Sequence, residues 1–132
     1  TEHGYFHRED MHPFTAMNAS ASEIEAIAKE HLLPYPKLEH NFVPTLIETS
    51  DALIAFDPGF GKRAPGPTAG RYNQLLEKTG YSPDNVTHVI ISHGHPDHIA
   101  NLTTDGSPTF KHAEIIISRK VLLFCIDKII II

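Results

Sequence analysis

The sequence predicts an α/β fold, and three observations carry that prediction. Short apolar, β-branched runs alternate with segments of helical period. A Gly- and Pro-rich loop follows one of those runs. One apolar run, Val89-Ile90-Ile91, leads directly into a cluster of His and Asp residues. Strands alternating with helices mark an α/β arrangement, and loops at strand ends are where sites are commonly built. The 132 residues suit a single domain spanning 1–132.

Taken in order, residues 18–33 read as a helix. Ser20 with Glu23, or Ser22 with Glu25, supplies a capping box, Ile24, Ile27, Ala28 and Leu32 share one face, and Pro34 and Pro36 stop it. Residues 42–49 and 52–57 are two strand-like runs parted by Ser50-Asp51, which suits a hairpin, with Pro44 at an edge or irregularity. Residues 58–70, with Gly at 59, 61, 66 and 70 and Pro at 58, 65 and 67, form a loop. Residues 68–79 predict a helix with Tyr72, Leu75 and Leu76 inward and Gly80 as its stop. A turn at 81–85 precedes a buried strand at 86–92. Residues 113–118 form a further strand, and 119–127 suit either a helix or another strand. The tail Ile129-Ile130-Ile131-Ile132 reads as the end of a strand taken out of its context.

Composition narrows the function classes. A hydrophobic share of 41% with 20% charged residues describes a soluble globular chain. A formal net charge of −5 without any Lys/Arg run argues against a nucleic-acid partner. No run approaches the ~20 apolar residues of a membrane span, so none is expected. One cysteine, Cys125, excludes an internal disulfide framework. Residues 1–10 are polar and His-rich and do not read as a signal peptide. Thr1 in place of an initiator Met is compatible with a leader already removed, and localisation stays open.

The chemistry concentrates in His93-Gly94-His95-Pro96-Asp97-His98. Imidazole and carboxylate are good ligands for zinc and similar divalent ions. In extended backbone, residues two apart point the same way, so His93 and His95 can grip one ion. Gly94 lets the chain bend, and Pro96 turns it so that Asp97 and His98 address a second position. The competing reading is a solvated His-rich loop, which has no need of Gly and Pro at these points.

This segment resembles the H-x-H-x-D-H signature of the metallo-β-lactamase superfamily. Residues 41–61 (NFVPTLIETSDALIAFDPGFG) are similar to its opening hairpin and Asp-x-Gly turn. Residues 66–98, continuing to Asn101-Leu102, are similar to the branch that holds methyl parathion hydrolase and related lactonases. His12-Pro13-Phe14 and the helix before Pro34 fit the same branch. The resemblance implies the first half of an αββα sandwich and two divalent metal ions, zinc foremost. His93 and His95 would hold one ion. Asp97 and His98 would hold the other, with Asp97 also orienting a bridging hydroxide and Asp57 supporting the metal loop from behind. Ala100 stands where the family usually has Gly. The family's later ligands (a third His, a bridging Asp and a final His) have no match before residue 132, and His112 lies too near the motif to serve. Two protein ligands per ion are therefore expected from this chain, where a catalytic zinc normally has three.

The implied activity is metal-dependent hydrolysis of a small-molecule ester, lactone or phosphotriester. Three rivals stand beside it. The chain could be a half-domain that binds metal weakly and acts by pairing with a second copy or a complementary chain. It could be a β-lactamase of the same fold. A nuclease of the superfamily is disfavoured by the acidic balance. Phe60 is a candidate for the substrate pocket, or a loop aromatic folded back on the core. Lys62 and Arg63 would meet an anionic substrate or remain solvated. His3, His7 and His12 read as an adventitious cluster at a terminus, His31, His40, His88 and His112 as surface or packing residues, and Cys125 as a buried apolar residue.

Overall fold

The computed structural model describes residues 4–8 and 16–129. The terminal His cluster, the His12-Pro13-Phe14 segment, the His40 side chain and the last three isoleucines lie outside what is described. One compact unit covers residues 5–41, and a second runs from Phe42 onward.

The first unit holds α1 (Ala21–Glu30) and most of a two-stranded sheet that pairs β1 (Gly4–Arg8) with β2 (Leu38–Phe42). Of the two capping boxes the sequence offers, Ser20 and Glu23 form the one used. The Glu23 N–H donates to Ser20 Oγ at 3.3 Å, and the Ser20 N–H donates to Glu23 Oε2 at 2.8 Å. Such a cap satisfies two of the amides that every helix start leaves without partners. The helix is shorter than the predicted 18–33. It ends at Glu30, and Leu32 sits beyond it at φ 55°, 92% exposed, so it cannot share the face of Ile24 and Ala28.

The second unit is built on a four-stranded sheet of order β3-β4-β5-β8, namely β3 (Thr45–Glu48), β4 (Leu53–Phe56), β5 (His88–Ile91) and β8 (Glu114–Ile117). Between these lie α2 (Tyr72–Lys78), the single-turn α3 (Pro96–Ile99), and the two-residue pair β6 (Thr103–Thr104) and β7 (Ser107–Pro108). Helix α4 (Arg119–Ile129) follows β8. The predicted hairpin is present: β3 and β4 pair antiparallel with Glu48 opposite Leu53. Pro44, which has no N–H to give a ladder, falls between β2 and β3. β5 lies parallel between β4 and β8. The segment 119–127 resolves as helix.

Alternation along the strands decides the core. Leu53 and Ala55 of β4 and Val89 and Ile91 of β5 are buried and join Tyr72 and Leu76 of α2, Val86 and Phe110. A fully buried side chain of this kind stabilises by about 1.5–3 kcal/mol. Burial also raises the Tyr72 phenol to about 12. On the other face, Ile54, Phe56 and Ile90 are half-buried, and Ile47 and Ile116 are 42% and 43% exposed. Among the described residues, no helix is long and apolar enough to cross a membrane.

Candidate metal centre

Parallel pairing brings the C-terminal ends of β4 and β5 side by side, and the six-residue motif starts there. The Asp57 N–H donates to Ile90 O at 3.0 Å, which extends the pairing one residue past β4. Asp57 then takes φ 43°. This left-handed conformation is costly for most side chains, and Asp tolerates it better than nearly all others. The carboxylate accepts from the Ser92 N–H at 2.8 Å and from the Ser92 hydroxyl at 2.6 Å, and lies 3.0 Å from His98 Nδ1. Partial burial pushes its pKa upward. The two Ser92 hydrogen bonds and His98 outweigh that and hold Asp57 below the ordinary 3.8. These contacts join Asp57 to the residue before the motif and to the motif's last histidine.

The Ser92 hydroxyl has one proton, and a carboxylate can only accept. That proton therefore goes to Asp57, and Ser92 Oγ, 3.0 Å from His93 Nδ1, accepts from the ring. This assignment places the His93 proton on Nδ1 and leaves a lone pair on Nε2, the form in which imidazole binds metal. His93 Nε2 lies 3.1 Å from His95 Nδ1. The four expected ligands converge as two pairs, the second being Asp97 and His98, with Asp97 Oδ2 3.2 Å from His98 Nε2. His93 stands between the other two rings, at centroid distances of 4.6 Å from His95 and 3.8 Å from His98. His98 Nδ1 is buried and, although near Asp57, is not aligned with it for a hydrogen bond. Among the described residues, no three His, Cys, Asp or Glu side chains are grouped to hold one ion. Imidazole and carboxylate are donor types suited to divalent ions, and the Ser92 contact leaves His93 Nε2 unprotonated.

Local backbone explains the convergence. His95 caps α3 in extended conformation, and Pro96 occupies the first helical position, where its missing N–H costs nothing. Gly94 lets α4 pack closely: a Cβ built there would overlap Cys125 Sγ, which would have to move aside. Cys125 is half-buried against the motif rather than within the core, as the sequence had suggested.

Sequence reasoning missed two further residues. Ser92 is one; the only signal was its position next to the motif. Asn101, fully buried, is the other. Its amide donates to Pro58 O at 3.1 Å and to Asn73 Oδ1 at 2.9 Å, and accepts from Asn73 at 3.3 Å. Its own N–H donates to Gly59 O at 2.9 Å. Gly61, at φ 54°, leaves room for that amide, which a Cβ would overlap. The loop after Asp57, α2 and the segment after the motif are thereby tied to one side chain.

Phe60 packs edge-to-face on Phe42 with centroids 5.1 Å apart. Lys62 pairs with Asp105. His88 Nδ1 contacts Thr87 Oγ1 at 2.9 Å, while His31 and His112 are exposed.

Residues 44–104 match the profile of the metallo-beta-lactamase superfamily. AidC, a dizinc quorum-quenching lactonase solved in complex with a product, superposes with a TM-score of 0.87 at 28% identity, over 96% of this chain and 42% of its own. The fold is that of the metallo-beta-lactamase superfamily. AbOPH, a hydrolase of the beta lactamase superfamily, shares the fold at TM-score 0.79 and 23% identity, over 96% of this chain and 43% of its own. Metallo-beta-lactamase domain-containing protein 1 of Xenopus laevis is 49% identical over 45 residues, 34% of this chain and 17% of that protein. The chain therefore spans less than half the length of each of these relatives. The motif lies directly after the C-terminal end of β5.

Proposed function

We propose that this chain carries part of the active site of a metal-dependent hydrolase that acts on an ester, lactone or phosphotriester. The observation that carries this reading is the pairing of His93 with His95 and of Asp97 with His98, backed by the Asp57–Ser92–His93 contacts. His93 and His95 hold one divalent ion and Asp97 and His98 the other, with zinc foremost because a lactonase of the same fold is dizinc. When bound, two such ions supply a water ionised near neutral pH and polarise the substrate oxygen. The chain's residues do the rest. Asp57 fixes Ser92, Ser92 keeps the His93 proton on Nδ1, and Asp97 orients the attacking water by accepting a hydrogen bond. AidC's product complex favours an N-acylated lactone among the candidate substrates. The test is hydrolysis of a lactone and an aryl ester by the zinc-supplemented protein. Zinc-dependent turnover that falls about a hundredfold in Asp97→Asn with little change in KM supports the assignment. Turnover indifferent to zinc and to Asp97 overturns it.

A second reading rests on two ligands per ion and the exposed isoleucines of the sheet, Ile47 and Ile116. Here the chain pairs with a second copy or a complementary chain that covers this face. Sedimentation over a concentration series separates the two: a monomer that turns over substrate removes the pairing requirement.

A further inference from the structure

Asn101 has no exposed surface, and each hydrogen of its amide has a partner. Its Nδ2 donates to Pro58 O at 3.1 Å and to Asn73 Oδ1 at 2.9 Å, and its backbone N–H donates to Gly59 O at 2.9 Å. One residue therefore holds the two successive carbonyls that follow Asp57. That residue lies three positions after His98, in the 3₁₀ turn (Ala100–Leu102) that continues α3. Asp57 is pinned from both sides. Its own N–H donates to Ile90 O at 3.0 Å, and the chain after it is fixed to the turn that follows Asp97 and His98. Its φ of 43° persists because the surroundings over-determine it.

This pinning controls the direction of a hydrogen-bond chain. Ser92 Oγ lies 3.0 Å from His93 Nδ1, and His93 Nε2 lies 3.1 Å from His95 Nδ1. Both links run in either direction, since a hydroxyl and a neutral imidazole each donate and accept. Of these groups, only the Asp57 carboxylate is an obligate acceptor. With Asp57 2.6 Å from Ser92 Oγ, the hydroxyl proton points to Asp57, His93 is protonated on Nδ1, and Nε2 accepts from His95. With the carboxylate withdrawn, Ser92 is free to donate to His93 Nδ1, and the His93 proton moves to Nε2, facing His95. We propose that Asn101 is a positioning residue for this chain: its hold on Pro58 and Gly59 keeps the Asp57 carboxylate on Ser92, and so keeps the His93 proton on Nδ1. The value of that tautomer to metal binding rests on the hydrolase reading above. The tautomer itself does not, and it is read on the metal-free protein.

The experiment is proton–nitrogen correlation of isotope-labelled histidine rings, at a pH about two units above the ordinary value of about 6.5, where neutral rings dominate. The His93 signals are those lost in His93→Ala. The native ring should be protonated on Nδ1. Asn101→Asp keeps the shape and the acceptor for Asn73 but removes both amide hydrogens, and its His93 should shift mainly to Nε2 protonation. Asn73→Ala removes two buried hydrogen bonds of the same amide yet leaves the one to Pro58. It should lower the urea midpoint without changing the tautomer, whereas a merely structural role for Asn101 predicts the same tautomer in both variants. If Asn101→Asp does not fold, Gly61→Ala takes its place, since a Cβ there overlaps Asn101 Oδ1 and displaces the amide with every partner still present. Zinc affinity on the same samples should fall about 10–100-fold where the tautomer changes. A tautomer change without zinc binding by any of the proteins leaves the role of Asn101 standing and removes the metal assignment. A His93 still protonated on Nδ1 in folded Asn101→Asp or Gly61→Ala overturns the proposal, as does an equal change in Asn73→Ala or a native ring protonated on Nε2.

Discussion

At the scale of single residues, the account turns on where one proton sits. Asp57 accepts the Ser92 hydroxyl proton, so Ser92 accepts from His93 Nδ1 and Nε2 keeps its lone pair. Removing the hydroxyl in Ser92→Ala should weaken zinc binding about 10–100-fold, the usual cost of losing a residue that orients a metal ligand. Ser92→Thr should keep most of it. Competition with a chromogenic chelator measures both. Asp57 adds a pH dependence with a definite sign. Its folded pKa lies below the ordinary 3.8, so the stability it contributes is fully present above that value and is lost as pH falls through the folded pKa. Urea unfolding at pH 6 and at successively lower pH below 3.8 should show a steeper decline in the native protein than in Asp57→Asn. Equal slopes would mean the Ser92 and His98 contacts contribute nothing to folding.

Among the elements, the loop from Asp57 to Gly61 is held chiefly by Asn101. Asn101→Ala leaves Pro58 O and the Asn73 amide without their buried partner and should cost about 1–3 kcal/mol, read as a lower urea midpoint. At the exposed start of α1, Ser20→Ala should cost about 1 kcal/mol. The contrast between these two sites explains what the sequence could reveal. A cap is local, and Ser20 three residues before Glu23 announces it. The hairpin and the strand into the motif were legible for the same reason, since alternation and turn residues lie within a few positions of each other. Asn101 meets Pro58 and Asn73 across 43 and 28 residues, and no local pattern marks such a partner. The end of α1 was overrun because Leu32 continues the apolar period after the backbone has left the helix. In the candidate site, the motif's four donors were evident from spacing. Their support by Ser92 was not, because a lone serine beside a motif has no distinctive pattern. The approach of α4 to Gly94 was equally hidden, since residues 119–127 suited helix or strand equally well.

For the whole molecule, the sheet buries one face against α2 and presents Ile47 and Ile116 on the other. Binding of an apolar fluorescent dye should therefore be appreciable and should fall in an Ile47→Lys/Ile116→Lys double variant that keeps its far-ultraviolet spectrum. The chain shares its fold with a dizinc lactonase, and the motif lies within the matched residues 44–104. What most directly tests the proposed function is whether these particular side chains hold metal. The measurement is zinc per chain by elemental analysis after equilibrium dialysis, comparing the native protein with a His93→Ala/His95→Ala variant. The account expects about two ions in the native protein and about one fewer in the variant. Equal uptake by both proteins, or none by either, would contradict it.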